Sequence, residues 1–104
     1  MQSNNLRDKN FFTWRRIREV GLTADLADEL GLIRAEGVII VLVQPDSVAE
    51  EAGLRQGDVI TEINRQRVVN LSGYNSALAK TDKGKSLLFH VIRGAGSLFL
   101  AMKR

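Results

Sequence analysis

Apolar residues fall into separated groups along this chain, and the spacing within each group predicts its element. Gly37 to Gln44 (GVIIVLVQ) is β-branched and nearly continuous, the pattern of a strand buried on both faces. Val59 to Ile63 alternates, which puts Val59, Thr61 and Ile63 on one face and Ile60 and Glu62 on the other. Ser86 to Arg93 and Ser97 to Met102 read as two more strands joined by a hairpin at Gly94-Ala95-Gly96. In the first of these, Leu87, Phe89 and Val91 are assigned inward, and Leu88, His90 and Ile92 outward. Ile17 and Val20 are the only apolar positions just after Trp14, so a short strand is expected over Arg16 to Val20.

Helical spacing predicts the remaining elements. Leu22, Leu26 and Leu30 recur four apart, with Thr23 as N-cap of a helix from Ala24 to Leu30 and Gly31 as its stop. Ser47-x-x-Glu50 after the Pro45-Asp46 turn is a capping box for a short helix, Val48 to Ala52, ending at Gly53. A longer helix is expected near Leu71 to Thr81, with Leu71, Tyr74 and Leu78 on one side. Gly57-Asp58 and Asn64-Arg65 read as turns flanking the Val59 strand, the second leading to Val68-Val69. The sum is about five strands, two short helices and one longer one: an α+β domain, a small curved sheet or partial barrel capped by helices.

Length and composition narrow this further. At 104 residues with 44% hydrophobic and 26% charged residues, the chain suits one soluble domain with a modest core. Residues 1–12 are rich in Asn and charge and are assigned to a flexible N-terminal arm, with the domain at 13–104. The first ten residues carry no apolar signal-peptide core, so the chain as given reads as cytosolic or as a fragment without its targeting segment. No apolar run is long enough for a transmembrane helix, so no membrane insertion is expected. The net charge of +3 comes from scattered groups (Arg15/Arg16/Arg18, Arg65/Arg67, Lys80/Lys83/Lys85, Lys103/Arg104) with twelve acidic residues between them. That is a solvated basic surface rather than the single stripe that marks a nucleic-acid site.

Catalysis finds no residues to carry it. The only histidine, His90, sits on the outward side of its strand, there is no Gly-x-Ser-x-Gly nucleophile elbow, and cysteine is absent. Asp25, Asp28 and Glu29 fit a solvated helix face better than a cation site. The Gly53/Gly57 pair precedes a strand, and Gly94-x-Gly96 is a hairpin tip, so neither cradles phosphate. No catalytic residue, metal or cofactor is assigned.

One stretch carries more than composition. Gly37 to Asn64 resembles the PDZ core pattern: a strand, then P-x-S-x-A-x-x-A-G-L from Pro45 to Leu54, then G-D-x-I-x-x-I-N from Gly57 to Asn64. Leu22 to Leu32, the Asn64 to Val68 turn and the ending Arg93 to Lys103 are similar to the second, C-terminal PDZ domain of bacterial Do-like, HtrA-type serine proteases. The likeness covers about residues 14–104. It implies a PDZ-like, partly open sheet of five to six strands in the bacterial, circularly permuted order. It implies periplasmic location and a parent serine protease of which this is a non-catalytic module.

The resemblance also implies a function, in which an extended or C-terminal peptide adds to a sheet edge and its carboxylate is held by loop amides. The partners implied are peptides or unfolded-protein segments, the protease domain and other PDZ domains of the parent, and further copies in a homo-oligomer. Carried over by position, the carboxylate loop is Trp14-Arg15-Arg16-Ile17, the pairing strand runs through Arg18 to Val20, and the groove helix presents Leu71, Asn75 and Leu78. Arg15 and Arg16 stand at the first two places of the family's hydrophobic-Gly-hydrophobic loop, and Asn75 puts a polar group in a usually apolar wall. Two readings of the arginines stay open: attraction for a carboxylate, or charges that guard a strand edge. Phe11, Phe12 and Trp14 are assigned to core, groove floor or a domain interface. The alternative function is an assembly module with a degenerate groove.

Overall fold

In the computed structural model, residues 12–104 are described; the arm assigned to the first positions, and Phe11 with it, lies outside the described residues. A 3-10 turn, Trp14–Arg16, leads into β1 (Ile17–Gly21), α1 (Ala24–Glu29), β2 (Val38–Val43), α2 (Val48–Glu51) and β3 (Val59–Ile63). Then come β4 (Gln66–Arg67), α3 (Leu71–Ala79), β5 (Ser86–Arg93) and β6 (Gly96–Lys103). The strands form one open antiparallel sheet in the order β1-β2-β3-β5-β6, with β4 paired to β3. Phe12, assigned to the arm on composition, is buried.

Local chemistry sets most of these elements. Thr23 caps α1 by accepting from the Leu26 amide at 3.2 Å, and Asn70 caps α3 by accepting from the Gly73 amide at 2.8 Å. The capping box of α2 forms with one change. Ser47 Oγ accepts from the Glu50 amide at 3.1 Å, while Glu50 reaches one residue further back than expected, to the Asp46 amide at 2.8 Å. Asn64 and Arg65, both at positive φ, make the two-residue turn between paired Ile63 and Gln66. The β5–β6 hairpin is likewise two residues, Gly94-Ala95, so Gly96 belongs to the strand.

The sheet packs against two unequal cores, while β6 is largely exposed. The larger gathers Ile17, Val38, Ile40, Ile60, Ile63, Leu87, Phe89 and Val91 beneath Tyr74, Ala77 and Leu78 of α3. The smaller lies on the other face, where Leu22 and Ala27 cover Ile39 and Val59. Three expectations change here. Leu30 is exposed, and Ala27 with half-buried Leu26 packs instead, because α1 ends at Glu29. Leu71, in the first turn of α3, is exposed rather than on the buried side. β3 does not alternate throughout: its pairing to β5 skips Thr61, so Ile60 and Ile63 enter the same core.

Two long-range contacts hold the turns. Gly37 (φ 124°) passes so close to β3 that a Cβ would lie 2.8 Å from the Ile60 carbonyl oxygen. Asp58, fully buried, binds Arg93 through two parallel bonds of 2.8 Å and also accepts from the Arg55 amide at 2.8 Å. Arg93 adds a bond of 2.7 Å to the Gly53 carbonyl. This clamp joins the turn after α2 to the end of β5.

A candidate peptide groove between β1 and α3

β1 pairs with no strand but β2, so its other edge is open beyond Ile17, whose own N–H is bonded to the Trp14 carbonyl and whose carbonyl accepts from the Thr13 amide at 2.7 Å. That edge faces α3 across a slot of about 330 Å³, lined by Thr13, Trp14, Arg18, Glu19, Val20, Gly21, Leu71, Tyr74 and Asn75. An unpaired strand edge beside a helix wall suits an added strand. Its backbone groups want partners, and alternate side chains of the newcomer enter the slot.

The loop entering β1 is held in an unusual backbone. Arg15 (φ 56°) and Arg16 (φ 64°) are both left-handed, the conformation glycine adopts without strain. Trp14 packs on Phe89 at a ring separation of 6.0 Å, and the Arg15 guanidinium lies 5.7 Å from its ring centroid. Arg16 donates to Gln44 Oε1 at 2.6 Å, and its guanidinium lies 5.1 Å from the centroid of the Phe12 ring. The loop borders an open concavity of about 630 Å³ lined, among the described residues, by Trp14, Arg15, Arg16, Val48, Lys83 and Arg104, none of them acidic. Arg15 Nε is buried there without a hydrogen-bond partner. Four cations around one hollow favour an anion.

Glu19 sits on the groove floor, on the same face of β1 as Ile17, and is buried with 8% of its surface exposed. Both carboxylate oxygens lie 2.6 Å from Thr13 Oγ1, and one is 3.3 Å from the Tyr74 hydroxyl across the slot. Burial pushes the Tyr74 phenol well above its ordinary range, and the neighbouring Glu19 charge and hydrogen bond push it further. Neither Thr13 nor Tyr74 carries a charge, and Glu19 takes part in none of the ion pairs among the described residues.

The residues carried over by resemblance are distributed unevenly. Trp14, Arg18, Val20, Leu71 and Asn75 line the groove, whereas Arg15 and Arg16 line the basic concavity beside it. Ile17 and Leu78 are buried in the core, so neither side chain lines the groove, and the Ile17 backbone is already used, its N–H on the Trp14 carbonyl and its carbonyl accepting from the Thr13 amide at 2.7 Å. Glu19, Tyr74 and Thr13 were absent from that set. The signal for Glu19 lay in the alternation of β1, which places it two residues after Ile17 on the same face. Among the described residues no group of His, Asp or Glu is arranged to hold a metal ion, and no helix is long and apolar enough to cross a membrane. His90 lies on the sheet, 2.7 Å from Thr61 Oγ1 and tilted at 50° against the Phe99 ring, away from the groove-lining residues.

Comparison with known proteins agrees with this fold. A probable periplasmic serine protease, do/HhoA-like, of Haemophilus influenzae is 34% identical over 82 residues, covering 79% of this chain and 18% of that protein. A probable periplasmic serine endoprotease, DegP-like, of Chlamydia pneumoniae is 34% identical over 88 residues, covering 84% and 18%. This chain therefore spans about a fifth of the length of these relatives. Among solved structures, the HtrA3 PDZ domain bound to the phage-derived ligand FGRWV superposes with a TM-score of 0.72 at 28% identity, covering 86% of this chain and 82% of that one. The HtrA-type protease AlgW with a decapeptide gives 0.73 at 29% identity, covering 86% and 28%. The PDZ domain family model matches residues 5–103. With that match spanning nearly its whole length, the chain belongs to the PDZ domain family.

Proposed function

We propose that this domain takes an extended C-terminal peptide segment onto the free edge of β1 by strand addition. In this reading the terminal carboxylate lies at the Trp14–Arg16 end of the groove. The observation that carries it is the one-sided pairing of β1 beside α3, with the basic concavity at the end where a peptide antiparallel to β1 would finish. The lining of that concavity by Arg15, Arg16, Lys83 and Arg104 supports an anion there. The peptide ligands of the HtrA3 and AlgW structures support a peptide as the ligand. Within a parent Do-like serine protease of the periplasm, such a module would govern substrate capture or activation, alongside the protease domain and any other PDZ domain.

The test is a titration of one peptide as free acid and as C-terminal amide, followed by the fluorescence of Trp14, the sole tryptophan. The free acid should bind about tenfold tighter or more, since hydrogen bonds to a charged group contribute about 1.5–3 kcal/mol. Its affinity should also fall as salt rises. Equal binding of the two forms overturns the carboxylate end of the reading.

A second reading is an assembly module with a degenerate groove. It draws on the Glu19–Tyr74 hydrogen bond across the slot and on a more apolar hollow of about 540 Å³ beside fully exposed Ile33. No peptide binding at millimolar concentration, together with self-association in sedimentation, favours it.

A further inference from the structure

Resting on the strand-addition reading, we infer that Glu19 makes this groove selective for a peptide carrying one lysine or arginine side chain that points into the slot. A carboxylate taken out of water loses several kcal/mol of hydration unless an opposite charge compensates. Glu19 is 8% exposed, and the partners it has are the neutral hydroxyls of Thr13 and Tyr74. Thr13 has one proton to give, and its Oγ1 also lies 3.0 Å from the Ile17 carbonyl oxygen. Among the described residues the site is therefore short of hydrogen-bond donors, and Glu19 has no ion-pair partner. It opens into the groove rather than into the core, so a ligand can supply what the fold does not.

The surroundings fit a cation at that point and at no other. Asn75, on the α3 side of the slot, offers an amide oxygen as a further acceptor. At the far end Arg15, Arg16, Lys83 and Arg104 repel cations and attract a carboxylate. The charge pattern along the groove thus matches a peptide with a free carboxyl end and a single basic side chain close before or at it.

The experiment uses one free-acid peptide in which each of the last three positions is set in turn to lysine, norleucine or glutamate. These are titrated against the wild-type domain and Glu19→Gln, which keeps the size of the side chain and its contacts with both hydroxyls. In the wild type, lysine should bind about tenfold tighter than norleucine at one of the three positions, and glutamate weaker than both. In Glu19→Gln the lysine preference should shrink to about twofold or less, with norleucine unchanged or improved. Lysine no better than norleucine at every position in the wild type overturns the inference while leaving peptide binding in place. A lysine preference that persists in Glu19→Gln overturns it too, assigning the preference to another group. Failure of every peptide to bind the wild type overturns the strand-addition reading and this inference with it.

Discussion

The Asp58–Arg93 clamp makes a prediction about unequal partners. Arg93→Ala leaves the Asp58 carboxylate, whose side chain is 1% exposed, with the Arg55 amide as its remaining partner. A buried charge stripped of its counter-ion costs about 3–5 kcal/mol. Asp58→Ala strands the other half: the Arg93 side chain is 29% exposed and can turn to water, so the main loss is the unsatisfied Arg55 amide and the broken bonds, about 2 kcal/mol. Arg93→Lys keeps the charge but not the two-pronged geometry, and should fall between wild type and Arg93→Ala. For a domain of this size 1 kcal/mol moves Tm by about 4–8 °C, so Arg93→Ala should melt roughly 15–30 °C lower. The assay is urea unfolding followed by circular dichroism for both single variants and the double, with thermal melts beside it. The double variant should cost about 2 kcal/mol less than the sum of the singles, because the stranded carboxylate is gone. The reasoning is refuted if Asp58→Ala costs more than Arg93→Ala, or if the two losses add within about 0.5 kcal/mol.

Two further outcomes are expected. Gly37→Ala should cost about 3 kcal/mol, from a Cβ 2.8 Å from the Ile60 carbonyl oxygen and 3.1 Å from Val59 Cγ1 at a φ of 124°; an unchanged urea midpoint would contradict the close approach. The folded Tyr74 phenol titrates above the unfolded one, through burial first and the Glu19 charge second. The stability it contributes is therefore present in full below the ordinary 10.0 and is lost as pH rises past it, at up to about 1.4 kcal/mol per pH unit. Tyr74→Phe should remove that slope. As the sole tyrosine, Tyr74 can be followed by phenolate absorbance, and titration near 10.0 in the folded protein would contradict its burial.

What the sequence made legible is what short-range chemistry decides. Ser47 and Glu50 announce α2 because a capping box needs only four residues, and Leu87, Phe89 and Val91 alternate because β5 is paired evenly along its length to β6. Legibility ends where a residue's role depends on a distant neighbour. The irregular pairing at Thr61 exists only in the register of β3 against β5, so no pattern within Val59–Ile63 shows it. Asp58 reads as a turn residue until Arg93, 35 positions away, is seen to grip it. In the groove, the resemblance found the loop, the strand and the helix, yet family position could not tell that Leu78 turns into the core or that a carboxylate lies on the floor.

The one-sided pairing of β1 also determines how occupancy would be written into the backbone. In an antiparallel edge strand, amides alternate between pointing at the neighbour and pointing away. Those of β1 that face β2 are tied into the sheet, and those between them face the slot. Hydrogen exchange along Arg18–Gly21 should therefore be slow and fast at alternate residues in the free domain, while the Ile17 amide is already held by the Trp14 carbonyl. An added strand would quiet only the fast set, so binding becomes a change in the parity of protection rather than a general stiffening of the strand.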